Sequence, residues 1–254
     1  MTEIVTSRHN PLVTAFRRLA GEREERRSLG LYLGQGHKLL TEALQNRAPV
    51  DTVLYCGKAP EVPEGVRLQP VSADILAYVS PMKSAPELVF SCRLPEKNAP
   101  MKGRILLAEN MQDPGNVGTM IRTAAAFGFD GVLLAGACAD PWGPKAVRAS
   151  MGAVFRLTVW EETDTEKAAA LLHGAGIPVY AAALSEENLT AGRFPFPDAL
   201  ALAIGNEGHG LSETLLRAAD KVVRIPMAPG AESLNAAAAA AVLMWEVYRG
   251  RNDV

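Results

Sequence analysis

Between Arg104 and Pro226 the chain repeats one pattern that restricts its fold more than any other feature. Short apolar runs at Arg104–Ala108, Gly131–Ala135, Val154–Val159, Pro178–Leu184, Leu200–Ile204 and Val222–Pro226 are mostly separated by stretches with helical spacing. Near-continuous apolar runs of this length suit strands buried on both faces, and intervening helices supply the crossovers that parallel pairing requires. The expectation is a largely parallel α/β sheet with helices on both faces.

Upstream, Gly30–Gln35, Val50–Cys56, Arg67–Val71 and Glu87–Arg93 read as strands, with helices at Gly36–Asn46 and Ser72–Val79 between them. They form a smaller α/β domain over residues 1–93. Leu94–Gly103, LPEKNAPMKG, is polar, holds two prolines and reads as a linker, leaving residues 104–254 to the parallel-sheet domain. A chain of 254 residues suits two domains of ordinary size. With 48% apolar and 21% charged residues it is expected to pack rather than remain disordered. No apolar run reaches the ~20 residues that span a bilayer, and Met1–Ala20 lacks a signal-peptide core, so a cytoplasmic protein with no membrane partner is expected. Cys56, Cys92 and Cys138 are scattered, which supports neither a disulfide framework nor a metal site.

A net charge of −2 argues against a strongly basic nucleic-acid binder, and no DNA partner is expected, but the charge is unevenly spread. Residues 1–95 carry +2 and the remainder −4. In Phe16–Arg27, Arg17, Arg18, Arg23, Arg26 and Arg27 interleave with Glu22, Glu24 and Glu25. Five arginines on one short helix suit bidentate contact with phosphates, and with Lys38 they are the candidate phosphate-gripping residues. The same pattern also fits a solvated helix laced with its own ion pairs.

Three segments of the second region carry the chemistry. The first, Asn110–Arg122 (NMQDPGNVGTMIR), follows a strand, turns at Pro114 and Gly115, and enters a helix that Asn116 is placed to cap. A strand, a loop and a helix start in that order make a common ligand site, although an ordinary βα unit with a surface arginine fits equally. The second, Ala203–Leu211 (AIGNEGHGL), ends a strand in Gly205, Gly208 and Gly210 around Glu207. Glycines at this spacing allow a sharp turn or a close backbone approach. The third, Arg224–Asn235 (RIPMAPGAESLN), leads into an alanine-rich helix for which Ser233 or Asn235 is the expected start. Neither a GxGxxG turn after a strand nor a Walker A loop is present.

Together, in this order and spacing, the three segments resemble the motifs of the SpoU, or TrmH-like, RNA ribose 2′-O-methyltransferases of the SPOUT superfamily. Residues 1–93 are similar to the family's L30e-like substrate-binding domain through Ser7–Leu12 (SRHNPL) and Leu31–Leu40, with Gln35 where members commonly have glutamate. The resemblance implies a trefoil-knotted methyltransferase domain, S-adenosylmethionine as cofactor, an RNA substrate, and a homodimer formed through the knot domain. It favours 23S rRNA over tRNA, and a non-catalytic RNA-binding protein with a degenerate knot is the remaining alternative. Arg122, Asn116, Glu207, Ser233 and Asn235 take the family's catalytic positions. Gly205, Ile225, Leu234, Leu184, Met227 and Gly210 take the cofactor-binding ones. Arg122 is then either a base in a special environment or a cation that stabilises the developing alkoxide.

Overall fold

The protein is seen in a computed structural model that describes residues 3–80, 86–96, 99–183, 189–192, 195–206, 208–230 and 233–252. The described chain divides into two compact units, residues 1–96 with 140–156, and residues 97–139 with 157–254. Asp140–Arg156, expected in the second domain, therefore packs with the first.

The first unit opens with α1 (Pro11–Gly21) and α2 (Arg23–Leu29), followed by β1 (Leu31–Gln35), α3 (His37–Gln45), β2 (Val50–Tyr55), β3 (Arg67–Pro70), α4 (Ala73–Val79) and β4 (Leu88–Arg93). Its strands form a sheet of order β1-β4-β2-β3, in which β4 runs antiparallel to both neighbours and β3 pairs parallel with β2. Asn10 starts α1 by accepting the Leu12 N–H at 2.9 Å, and Pro11 follows at a position where its missing N–H costs nothing. Val13, Phe16 and Leu19 on α1 face Ile75, Leu76 and Val79 on α4 in one buried cluster. Tyr32 and Cys92 face each other across β1 and β4, and burial pushes the Cys92 thiol up to about 12.

The second unit builds one sheet from β5 (Arg104–Glu109), β6 (Gly131–Ala135), β7 (Thr158–Glu162), β8 (Val179–Ala182), β9 (Leu189–Thr190), β10 (Leu200–Ile204) and β11 (Lys221–Arg224). Their order is β7-β6-β5-β10-β8-β11-β9, and every pairing is parallel. Its helices are α5 (Pro114–Ala126), α7 (Thr165–Gly174), α8 (Glu213–Ala218) and α9 (Ala236–Asn252), while α6 (Pro144–Ala149) lies in the segment that joins the first unit. Ile105 and Leu107 of β5 are fully buried with Ala168, Leu172 and Leu215 from α7 and α8. Each such leucine contributes roughly 1.5–3 kcal/mol by leaving water.

Three local readings are corrected. Val154–Val159 is not one strand: Met151 (φ 51) and Gly152 (φ 88) turn the chain into a 3₁₀ helix at Ala153–Phe155, and β7 starts only at Thr158. Asp113, not Asn116, caps α5, because Pro114 opens the helix and Asp113 Oδ1 accepts the N–H groups of Gly115 and Asn116 at 2.6 and 3.0 Å. Phe16–Arg27 is not one helix either, since Glu22 is extended between α1 and α2 (φ −112, ψ 117). Among the described residues, no helix is long and apolar enough to cross a membrane.

Candidate active site

The site forms where the parallel strands of the second unit end. After β5 the chain runs outward through β6 and β7, and later strands fill the other side, so the β5/β10 border is a topological switch point. Ligands in open α/β sheets bind outside the carboxyl ends of strands at such a border. The segments that follow β5, β10 and β11 are the three motif segments.

Ala108 pairs with Ile204, which sets the loops after β5 and β10 side by side. Asn110 takes a left-handed turn (φ 53), a conformation that asparagine tolerates better than most side chains. Its side-chain oxygen accepts the Ala137 N–H at 2.8 Å, and its carbonyl accepts from Asn206 Nδ2 at 3.1 Å. The glycine loop closes on itself through paired backbone bonds between Asn206 and Gly210, at 3.1 and 2.8 Å. Gly205 is required there, because any Cβ at that position would overlap the Gly210 and Leu211 backbone.

A cavity of about 370 Å³ lies against this loop. Gly205, Gly210, Ile225, Met227 and Leu234 all line it, so five of the six expected cofactor positions share one cavity. Leu184, the sixth, and Glu207 lie outside the described residues. Ser233 and His209 also line the cavity; His209 was not expected there, and its place within the glycine motif was its only sequence signal. The lining is mostly small and aliphatic residues, which suits a flat ring with an apolar face.

Asn235 starts α9 by accepting the N–H groups of Ala237 and Ala238 at 3.0 and 3.2 Å, and its Nδ2 donates to Asn116 Oδ1 at 3.4 Å. The structure thus joins the first and third motifs. Arg122 projects from α5 into solvent, and among the described residues no ion pair holds it. α9 packs on both α5 and β10, so Asn116, Asn235 and the cavity wall stand on mutually braced elements.

The arginines of the first unit divide. Arg26 is 5% exposed and pairs with Asp140 at 2.6 Å, so its guanidinium holds α2 to the Asp140–Arg156 segment and is not offered to a phosphate. Its partner lies 114 residues away, and no local pattern marks it. Arg17 donates to the Tyr78 carbonyl at 3.0 Å and stacks on the Tyr78 ring, and Arg18 pairs with Glu25 at 2.6 Å. Arg23 and Arg27 also have partners, and Lys38 is exposed on α3. Gln35 accepts from Ser80 Oγ at 3.2 Å. Arg8, in the SRHNPL segment, makes a two-pronged bond to Asp74 that holds the Asp74 carboxyl below its ordinary range. Among the described residues, no cluster has the composition of a metal site.

The SpoU rRNA Methylase family model matches residues 103–245, which span all three motif segments. The chain belongs to this family. It is 31% identical over 228 residues to the 23S rRNA (guanosine(2553)-2'-O)-methyltransferase RlmP of Bacillus subtilis, covering 89% of this chain and 91% of that one. It is 33% identical over 268 residues to the 23S rRNA (uridine(2479)-2'-O)-methyltransferase of Streptomyces viridochromogenes, covering 97% and 92%. Among solved structures, the AdoMet-bound rRNA methyltransferase from Sinorhizobium meliloti superposes with a TM-score of 0.87 at 28% identity, covering 98% of each chain. The SpoU likeness therefore extends across the first unit as well as the motif-bearing one.

Proposed function

We propose that this SpoU family member is an S-adenosylmethionine-dependent RNA ribose 2′-O-methyltransferase acting on 23S rRNA. The observation that carries the reading is the cavity at the carboxyl ends of β8, β10 and β11, where Gly205 of the second motif meets Ile225 and Leu234 of the third, while the Asn235 that follows Leu234 bonds to Asn116 of the first. The rRNA methyltransferases of known target that it resembles along nearly their whole length support 23S rRNA over tRNA.

Gly205, Gly210, Ile225, Met227 and Leu234 would hold the cofactor, with backbone groups taking its polar edges and aliphatic side chains covering its ring. Leu184, at the end of the Pro178–Leu184 run, takes the same role by the family resemblance. S-adenosylmethionine, when bound, supplies an electrophilic methyl group. The chain's own work is to orient a ribose 2′-hydroxyl and to stabilise charge as that oxygen loses its proton. Asn116, Ser233 and Asn235 are neutral and orient the ribose or a phosphate without adding charge. Glu207 completes the set as a carboxylate able to hold a cation. Arg122 acts as a guanidinium cation that stabilises the developing alkoxide, while the 2′-hydroxyl proton passes to solvent water.

The first unit is the RNA-gripping domain in this reading, with Arg17, Arg18, Arg23, Arg27 and Lys38 as its phosphate contacts. The enzyme works as a cytoplasmic homodimer through the knot domain. Val242 and Trp245 remain exposed on α9, and the Trp245 ring lies 5.7 Å from that of Phe127, an apolar surface suited to a second copy. Incubation with methyl-labelled cofactor and either 23S rRNA or total tRNA tests the function. Label in 23S rRNA supports it, label only in tRNA moves the substrate, and no transfer with intact cofactor binding leaves the non-catalytic RNA-binding alternative.

A further inference from the structure

We propose that Glu109 is a positioning residue for the cofactor cavity, fastening the glycine loop that lines it to the end of β5. The inference rests on the reading that this cavity takes S-adenosylmethionine. Glu109 is the last residue of β5 and is fully buried. No cation among the described residues pairs with it; instead, Ser212 supplies both donors, its N–H and its Oγ–H reaching the two carboxylate oxygens at 2.7 Å each. Ser212 Oγ in turn accepts the Leu215 N–H at 3.2 Å and so starts α8.

A carboxylate is a costly way to fill a core, and an apolar side chain of similar size would pack there at lower cost. What the carboxylate adds is direction, because two short bonds to one residue fix where that residue sits. Ser212 directly follows Leu211, a cavity-lining residue at the far end of the glycine loop. The near end is held by the next residue of the same strand end, since the Asn110 carbonyl accepts from Asn206 Nδ2 at 3.1 Å. Two consecutive residues after Ala108 therefore pin both ends of the loop, and the paired Asn206–Gly210 backbone bonds close it. Glu109 touches neither cavity nor substrate; it acts through Ser212.

The test compares Glu109→Ala, Glu109→Gln and Ser212→Ala in the full chain. It measures calorimetric affinity for S-adenosylhomocysteine, and amide exchange at Asn206, Gly208 and Gly210 in the ligand-free protein. Glu109→Ala is expected to weaken binding about tenfold or more and to speed exchange at those amides, while the β6 amides keep their protection. Glutamine can accept the Ser212 N–H and donate to its Oγ, so Glu109→Gln is expected to stay within about threefold of the parent. Unchanged affinity and loop exchange in Glu109→Ala would overturn the proposal. So would equal loss of protection in β6 and the loop, the mark of a merely structural role. Should Glu109→Ala not fold, Ser212→Ala decides: about threefold weaker binding with loop-confined exchange supports the proposal, and parent-like values overturn it. If the parent protein itself does not bind S-adenosylhomocysteine, the cofactor reading fails, and the ligand-free exchange pattern alone decides whether Glu109 fastens the loop.

Discussion

Asn235 Nδ2 donates to Asn116 Oδ1 at 3.4 Å, joining residues 119 positions apart and drawn from two separate motifs. The same Asn235 starts α9 through its side-chain oxygen. One side chain therefore serves the helix with its acceptor and the site with its donor, and substitution can separate the two.

Asn235→Asp keeps the acceptor for Ala237 and Ala238, and its charge favours a helix N-terminus. It loses the donor to Asn116. The expected outcome is a melting temperature within about 2 °C of the parent and a kcat lower by about tenfold or more, read by thermal unfolding and steady-state kinetics. A kcat equal to the parent's would remove Asn235 from the chemistry.

Arg122→Lys distinguishes the two roles open to Arg122. A cation that stabilises an alkoxide through a planar fork is poorly replaced by an ammonium, so kcat is expected to fall about 100-fold with the pH dependence unchanged between pH 6 and 9. Most of the turnover retained, with a lowered basic pKa in the rate profile, would mark a base.

Arg26→Ala leaves the Asp140 carboxylate buried without its cation. A loss of about 3 kcal/mol in denaturant unfolding is expected, with RNA affinity of the folded protein unchanged. An RNA affinity that drops while stability holds would return Arg26 to the RNA-binding set.

Most of the site could be read from the sequence because it is encoded in contiguous motifs. The turn at Pro114, the glycines after β10 and the start of α9 at Asn235 each follow from local backbone chemistry. What could not be read depends on partners distant in sequence. Arg26 looks like its neighbours until Asp140 turns it inward, and Glu109 ends an apolar run with no sign that Ser212, 103 residues later, awaits it. The placement of Asp140–Arg156 in the first unit is of this kind too, fixed by Trp142 against Tyr32, with ring centroids 5.0 Å apart. Asp113 took the capping role from Asn116 for a local reason that the Pro114 position already contained.

Asp220 gives the fold an acid-sensitive joint. Partial burial pushes its carboxyl up, but the Val179 N–H at 2.7 Å and His173 at 3.0 Å outweigh that, and the net shift is below the ordinary value of 3.8. A carboxylate depressed in the folded state contributes stability above its unfolded value and loses it as pH falls through its folded one. Asp220→Asn is therefore expected to cost less than about 1 kcal/mol near neutral pH, because the group is half exposed and screened. The difference from the parent should close below about pH 4 in urea unfolding series. A difference that persists at pH 2 would contradict this account.

The most direct test of the account is nucleotide-resolved mapping of 2′-O-methylation in 23S rRNA, by resistance to alkaline hydrolysis, after incubation with the purified protein and S-adenosylmethionine. The account predicts one newly protected ribose in 23S rRNA, absent with Arg122→Ala. A methyl group on a base, or no protected position in 23S rRNA while tRNA gains one, would contradict it.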